Sequence, residues 1–161
     1  MEENETAPEA ADWGWMTQAL MLAQEAEAVG EVPVGAIIIS PTGTALGHGY
    51  NRTIADVDPT AHAEVVALRA AARQCGNHRL VGCAAYVTLE PCAMCVGALI
   101  QARVARLVFA ADDPKAGAIH SVLALAAQPQ LNHAFRVTAG VRAEEAGELL
   151  RRFFQRRRSS G

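Results

Sequence analysis

The sequence lacks any apolar run near the ~20 residues that a membrane-spanning helix requires. Its longest apolar stretches are interrupted by Gly, Pro, Arg or Glu. The chain also lacks a basic start, because its first residues read Met-Glu-Glu-Asn-Glu where a secretory signal peptide would carry positive charge. These absences predict a cytoplasmic protein with no membrane partner.

Cysteine is scarce, with four residues at positions 75, 83, 92 and 95. Without a signal peptide, a close cysteine pair is more typical of metal binding or redox chemistry than of a disulfide framework. Cys75 and Cys83 fit better as small buried side chains. The chain has 161 residues, 51% of them hydrophobic and 19% charged, so it can fold as one globular domain without disulfides.

Positive charge is absent from the first part of the chain. No Lys or Arg precedes Arg52, whereas five arginines lie between Arg151 and Arg158. The net charge of −3 argues weakly against a nucleic-acid partner, but this uneven distribution permits a basic face. Cations near the end of a helix also complement its dipole, so the arginines alone do not separate RNA contact from helix stabilisation.

The spacing of apolar residues predicts alternating helices and strands. Residues 1–11 are acidic and rich in Ala, which predicts a flexible tail and leaves a single domain at 12–161. Within that domain we predict helices at 13–29, 61–75, 92–101, 119–127 and 142–157, and strands at 34–39, 45–50, 84–89, 104–110 and 135–138. The alternation after residue 60 favours an α/β sandwich with one central sheet.

Two short segments carry the chemistry, and each lies at the predicted start of a helix. One reads His62-Ala63-Glu64 and the other Pro91-Cys92-Ala93-Met94-Cys95. The two cysteines are three residues apart and share one face of a helical turn, and His62 can supply a third ligand. Zinc prefers nitrogen and sulfur donors, and three protein ligands leave a fourth position for water, as in catalytic zinc sites.

Glu64 is the candidate proton carrier. On a regular helix a residue two positions after His62 points away from it, so a shared pocket requires a suitably oriented first turn. With that orientation, Glu64 can move protons from water to a ring nitrogen and then to a departing amine. A Cys-x-x-Cys pair alone is also found in redox pairs and structural zinc half-sites, but its combination with His-x-Glu and Pro91 favours catalytic zinc.

At these motifs the chain resembles the bacterial tRNA-specific adenosine deaminases, which are zinc-dependent members of the cytidine deaminase-like superfamily. The resemblance covers residues 13–158 and includes Val32–Ala36, Asn51-Arg52, Asp58–Glu64, Asp113–Ala118, Asn132-His133 and Phe153-Phe154. It implies a three-layer α/β/α sandwich with a central mixed five-stranded sheet, a homodimer and one zinc ion per subunit. The implied reaction converts adenosine to inosine at the wobble position of a tRNA anticodon.

The resemblance also implies roles for individual residues. His62, Cys92 and Cys95 would bind zinc, and Glu64 would act as acid and base. The positions implied to contact the anticodon stem-loop are Asn51, Ala63, Asp113, Lys115, Arg152 and Arg156. It favours RNA contact for the terminal arginines, whereas Phe153 and Phe154 are predicted to anchor the core rather than stack on bases.

Two positions depart from the family pattern, and two other functions stay open. His78 stands where an aromatic residue is more common. His120 stands where the family usually has Gly before the following Ser, which places a bulkier side chain in a loop expected to face RNA. The first alternative is deamination of a free base or nucleoside, such as guanine or cytosine. The second is a non-catalytic zinc or RNA-binding module, against which Glu64 argues because a structural site has no use for that carboxylate.

Overall fold

The computed structural model describes residues 4–160, which form four α-helices and a five-stranded sheet. The elements are α1 (Ala10–Ala28), β1 (Gly35–Ile39), β2 (Ala45–Tyr50), α2 (Ala63–Cys75), β3 (Ala84–Leu89), α3 (Ala93–Gln101), β4 (Arg106–Ala111), β5 (Arg136–Thr138) and α4 (Ala143–Ser160). The strand order is β2-β1-β3-β4-β5. β1 is antiparallel to β2 and β3, whereas β4 is parallel to β3 and β5, so the expected mixed five-stranded sheet is confirmed.

Helices cover both faces of this sheet. On one face, α2 and α3 bury side chains such as Ala67 and Leu99 against it. On the other face, α1 and α4 bury Met16 and Ala146. β1 and β4 are buried at every position, as expected for strands that lie between two helical layers. The predicted α/β/α sandwich is therefore confirmed.

The first hairpin places α2 directly against the sheet. β1 and β2 pair through a turn at residues 40–44, where Gly43 has a φ of 86°, in the left-handed region that glycine favours. Within β2 lies Gly47, where a side-chain carbon would collide with the backbone of Ala67 and Ala71. The absence of a side chain at this position allows α2, and hence the residues at its start, to lie close to the hairpin.

The predicted tail at residues 1–11 is ordered over most of its described part. The backbone N–H of Thr6 donates to the Val137 carbonyl at 2.8 Å, and Glu5 forms a parallel bridge with the same residue of β5. Glu9 and Asp12 form reciprocal hydrogen bonds that begin α1 at Ala10. The tail prediction is wrong for this stretch because pairing with a distant strand leaves no apolar periodicity in the sequence. Residues 1–3 lie outside the described part.

The helix predicted at 119–127 is also wrong. This segment consists of turns, with a single 3-10 turn at Leu125–Ala127. The N–H groups of Ile119, His120 and Ser121 donate to the buried carboxylate of Glu90. These bonds hold the backbone of residues 119–121 in turns around the Glu90 carboxylate. The remaining predicted elements lie within three residues of their observed bounds.

Candidate active site

Both motif segments begin helices, but their first ligand residues are not helical. His62 is the N-cap of α2 and has φ −72° and ψ 155°. Cys92 is the N-cap of α3 and has φ −77° and ψ 175°. Because the backbone of His62 and Cys92 is extended, their side chains point in a different direction from those of residues inside the helix.

The imidazole and the two thiols converge on one point. His62 Nδ1 lies 3.6 Å from Cys92 Sγ and 3.5 Å from Cys95 Sγ. One ligand atom from each of the three residues lies within 4.8 Å of the other two. Cys95 is buried, whereas His62 and Cys92 are partly exposed. The structure thus brings together the three residues that sequence analysis singled out, at a point that solvent can reach.

This donor set is suited to zinc, which prefers imidazole nitrogen and thiolate sulfur. Hydrogen bonds from Cys95 and then His62 lower the pKa of Cys92 to about 3. The same interaction with Cys92, together with burial, raises the pKa of Cys95. Cys92 is therefore held as a thiolate, which is the form that binds metals.

Glu64 lies beside the three candidate ligands. Only 5% of its surface is exposed, and burial raises its pKa to about 7. It is close enough to His62, Cys92 and Cys95 for each of them to influence that pKa. The orientation that sequence analysis required is therefore present, because His62 precedes the helix and Glu64 lies in its first turn. A carboxyl group whose pKa lies near neutrality can both accept and release a proton.

Asn51 supports the start of α2. Its side-chain Oδ1 accepts a hydrogen bond of 2.8 Å from the backbone N–H of Ala63. Ala63 itself is fully buried. Its N–H is therefore already bonded to Asn51, so the structure does not present it to a substrate, although Asn51 retains a free amide group beside the site.

Glu90, a buried carboxylate at the end of β3, has a structural role that the sequence motifs did not predict. Its oxygens accept hydrogen bonds from the backbone N–H groups of Asp113 (3.0 Å), Ile119 (3.1 Å), His120 (2.9 Å) and Ser121 (3.0 Å), and from the Ser121 hydroxyl. Burial alone would raise its pKa, but these hydrogen bonds lower it to about 2. Glu90 is therefore a permanent anion that fixes the path of residues 112–121.

A signal for this role is present in the sequence. Glu90 directly follows a buried strand and precedes Pro91, so its carboxylate lies at a strand end in the interior and needs hydrogen-bond donors. Gly117 is the second part of the signal, because a side-chain carbon there would collide with the Glu90 carboxylate. The partners of Glu90 could not be read from the sequence, since they lie 23 to 31 residues away.

Glu31 has a similar role on the other side of the site and was also missed. It is buried and accepts hydrogen bonds from the backbone N–H groups of Ile54 (3.1 Å) and Ala55 (2.8 Å) and from the Thr53 hydroxyl (3.3 Å). These bonds fix the loop that joins β2 to His62.

Two of the residues implied to contact RNA line one cavity. Asp113 and Lys115 lie along a cavity of about 650 Å³ between their loop and α4, which contributes Phe154 and Arg158. Phe153 is buried as predicted, but Phe154 is 41% exposed, so the core-anchor prediction is wrong for the second phenylalanine. Because Phe154 projects from α4 one residue after Phe153, the two rings cannot both face the core.

Arg152 and Arg156 lie elsewhere. The Arg156 guanidinium forms an ion pair with Glu27 of α1, and Arg152 Nη2 lies 3.8 Å from the same carboxylate. Both arginines line a separate surface recess near Ser159 and Ser160. The structure does not bring them to the cavity that contains Asp113 and Lys115.

Comparison with known proteins places this arrangement in a family. Residues 10–111 match the cytidine and deoxycytidylate deaminase zinc-binding region, a stretch that includes His62, Glu64, Cys92 and Cys95. The chain is 49% identical to the tRNA-specific adenosine deaminase of Haemophilus influenzae over 143 residues, which cover 89% of this chain and 83% of that protein.

Solved structures give the same result. The chain is similar to a tRNA:A34 deaminase studied for A-to-I editing at the wobble position of transfer RNA, with a TM-score of 0.82 and 41% identity over 85% of this chain and 99% of that one. It is also similar to a guanine deaminase from Nitrosomonas europaea, with a TM-score of 0.76 and 26% identity over 92% and 86% of the two chains. The chain therefore belongs to the zinc-binding cytidine and deoxycytidylate deaminase family and, within it, to the tRNA-specific adenosine deaminases.

Proposed function

We propose that this protein hydrolyses adenosine to inosine, with release of ammonia, at the wobble position of a tRNA anticodon. The observation that carries the proposal is the convergence of His62, Cys92 and Cys95 within 4.8 Å beside the buried Glu64. The relatives' activity on tRNA supports the choice of substrate, since identity to a tRNA deaminase reaches 49%.

The residues of the site divide the chemistry between binding and proton transfer. His62, Cys92 and Cys95 would hold one zinc ion per subunit, and zinc bound there supplies the Lewis acidity that makes water nucleophilic near neutral pH. Glu64 takes a proton from the attacking water and delivers it to a ring nitrogen of adenine. It then takes the proton of the hydroxyl newly formed at the reacting carbon and passes it to the departing amine, which leaves as ammonia while the carbonyl of inosine forms. Its raised pKa of about 7 suits both transfers.

The target base must unstack from its neighbours to reach the candidate active site at the N-termini of α2 and α3. An anticodon loop offers unpaired bases for which this movement costs little. Asn51, whose side-chain oxygen orients toward the start of α2, has an amide N–H₂ group that can donate to the extruded base. Asp113 and Lys115 supply polar contacts to neighbouring nucleotides along the cavity beside α4.

The proposal is tested with an anticodon stem-loop that carries adenosine at the wobble position. We expect the wild type to form inosine and Glu64→Gln to lose activity by about 10³-fold, in the range of general acid–base contributions, while it retains zinc. The matched control is Glu144→Gln, an exposed position of α4, which should keep full activity. Inosine is measured by nucleoside chromatography and zinc by elemental analysis.

Two outcomes would contradict the proposed reaction, and a third would contradict the role given to Glu64. Ammonia release from free guanine but not from the stem-loop would favour the free-base alternative. RNA binding by the wild type without inosine formation would favour a non-catalytic module. Full activity of Glu64→Gln would leave the deaminase reaction standing but refute the assigned proton transfer.

A homodimer and a cytoplasmic location complete the proposal. The exposed side of α2 and α3 carries a groove of about 300 Å³ lined by residues such as Leu68 and Ala98, which supports assembly of two copies through these helices. Light scattering that gives the mass of one chain would contradict the homodimer.

No helix within residues 4–160 is long and apolar enough to cross a membrane. The proposed cytoplasmic location follows from the proposed tRNA substrate.

A further inference from the structure

His120 binds a side chain at the edge of the cavity. His120 Nε2 lies 2.7 Å from Oδ1 of Asp112, at the start of the loop that forms one wall of the cavity. The Asp112 side chain is 64% exposed, so without this hydrogen bond it would be free to change rotamer. The histidine that departs from the family pattern is therefore part of a specific contact.

His120 is itself held from the interior. Its backbone N–H donates to Glu90 at 2.9 Å, and its ring packs edge-on against Phe109, with ring centroids 5.6 Å apart and an interplanar angle of 65°. Only 34% of its side chain is exposed. His120 thus connects the buried, permanently charged Glu90 to an exposed carboxylate on the cavity wall.

These three side chains are not arranged to hold a cation. Ligand atoms of Glu90, Asp112 and His120 lie within 4.8 Å of one another. However, both oxygens of Glu90 already accept hydrogen bonds from backbone N–H groups and from Ser121. The group is a hydrogen-bonded support for Asp112.

The cavity that Asp112 lines carries charges of both signs. The loop contributes the carboxylates of Asp112 and Asp113 and the ammonium group of Lys115, and α4 contributes Arg151 and Arg158. A phosphate is repelled by a carboxylate and attracted by guanidinium groups. Asp112 therefore suits the hydrogen-bond donors of a nucleoside, such as a base amino group or a ribose hydroxyl, while the arginines suit the phosphate.

We propose that His120 is a positioning residue that holds Asp112 against the cavity, where the carboxylate accepts a hydrogen bond from the nucleoside of a nucleotide next to the target adenosine. This inference rests on the proposed function. His120 is assigned a role in substrate binding, because His120 and Asp112 belong to a cluster separate from that of His62, Cys92 and Cys95 in the described structure.

The test is a double-mutant cycle with His120→Ala, Asp112→Ala and the double variant, assayed on the anticodon stem-loop. Each single change should raise KM about 5-fold, the range expected for one hydrogen bond, and leave kcat within about twofold. Because the two residues act through one contact, the double variant should have the same KM as the single variants. His120→Gln, whose amide can also donate to Asp112, should restore part of the affinity.

Controls separate this role from a general effect on the fold or on charge. His48→Ala removes an exposed imidazole on β2, far along the chain from the loop, and should leave KM unchanged. Asp112 is exposed, so Asp112→Ala should unfold at the temperature of the wild type and keep its zinc. Its KM should also keep the salt dependence of the wild type, because the substitution removes no phosphate contact.

Several results would overturn the proposal. A fall in KM for Asp112→Ala would mean that the carboxylate only repels RNA. Additive effects in the double variant, or a loss confined to kcat, would mean that His120 does not act through Asp112. If the wild type forms no inosine, the proposed function fails and this inference fails with it, whereas an active wild type with unchanged KM in both single variants refutes the inference alone.

Discussion

Two buried glutamates, Glu64 and Glu90, have pKa values shifted in opposite directions. Burial raises the pKa of Glu64 to about 7, whereas hydrogen bonds from Ser121 and backbone N–H groups overcome burial and lower the pKa of Glu90 to about 2. The first can exchange a proton near neutral pH, and the second is always charged. Burial dominates at Glu64, whereas several hydrogen-bond donors offset the effect of burial at Glu90.

Glu90→Gln should loosen the loop at residues 112–121. An amide N–H₂ group would face backbone donors that now bind a carboxylate oxygen, and buried donors without acceptors are costly. We expect the free energy of unfolding to fall by about 3 kcal/mol, with faster amide hydrogen exchange at Ile119 and His120. Urea denaturation and exchange mass spectrometry measure the two effects.

The control for this change is Glu144→Gln, which alters an exposed side chain of α4 and should shift stability by no more than about 0.5 kcal/mol. Equal stability of Glu90→Gln and the wild type would show that the loop keeps its path without the carboxylate. That result would show that Glu90 does not hold the loop in place.

At the scale of elements, a buried ion pair fixes the start of α1 on the sheet. Arg106 of β4 donates to both oxygens of Asp12, at 2.8 and 2.6 Å. The Tyr86 hydroxyl of β3 donates to Asp12 at 2.7 Å, and Thr138 of β5 accepts from Arg106 at 2.8 Å. One helix is thereby connected to three strands through polar side chains that are all buried.

Asp12→Asn should destabilise the protein in a pH-dependent way. Burial alone would raise the pKa of Asp12, but hydrogen bonds from Arg106, the Glu9 backbone and Tyr86 lower it below its ordinary value. A lowered pKa contributes stability above the unfolded-state pKa of about 4, and that contribution disappears as pH falls through the folded-state pKa. The variant should therefore be less stable by about 3–5 kcal/mol at pH 7, and the difference should shrink below pH about 4.

Urea denaturation of both proteins from pH 7 to pH 3 measures this difference. Loss of zinc at low pH should affect the two proteins alike. The difference between their free energies of unfolding therefore reports the contribution of Asp12. Asp56→Asn, which breaks the exposed pair with Arg52, should change stability by less than about 1 kcal/mol at each pH. A gap that stays constant down to pH 3 would mean that Asp12 does not act through its ionised form.

The helices and strands also show how much of the fold can be predicted from the sequence. The strands at 84–89 and 45–50 and the helix at 61–75 follow from local apolar pattern and turn residues, because their neighbours along the chain determine them. The candidate ligands were found for the same reason, since each lies at a helix start. The helix predicted at 119–127 is wrong and Glu90 was missed because both depend on one contact between distant residues.

At the scale of the whole molecule, the cations implied to meet RNA lie in two separate places. Lys115 and Arg158 line the cavity beside α4, whereas Arg152 and Arg156 lie near Glu27 of α1. The count of arginines in the last helix therefore overstates the charge that faces the cavity. Their position relative to Glu27 could not be predicted, because α1 and α4 meet only in the folded chain.

Salt dependence separates these two groups of cations. The logarithm of the affinity of inactive Glu64→Gln protein for the stem-loop should fall linearly with the logarithm of salt concentration. Substitution of Lys115 or Arg158 by Ala should reduce the slope by about 0.7 for each phosphate that the side chain neutralises. Arg152→Ala should reduce the slope less, because Arg152 and Arg156 share the negative charge of Glu27. Fluorescence anisotropy at several salt concentrations gives the slopes, and a reversed ranking would place the RNA along α4 on the side of Glu27.

The support that Glu90 gives to its loop has a consequence for how such an enzyme can acquire new preferences. One carboxylate in the interior dictates the course of the loop through its main chain, so the outward side chains are left free to vary without disturbing the framework. A library that randomises positions 112 and 115 while sparing Glu90, Gly117 and His120 should consequently yield many folded variants with altered RNA selectivity. The side chains on the cavity wall can change because Glu90 holds the backbone that carries them.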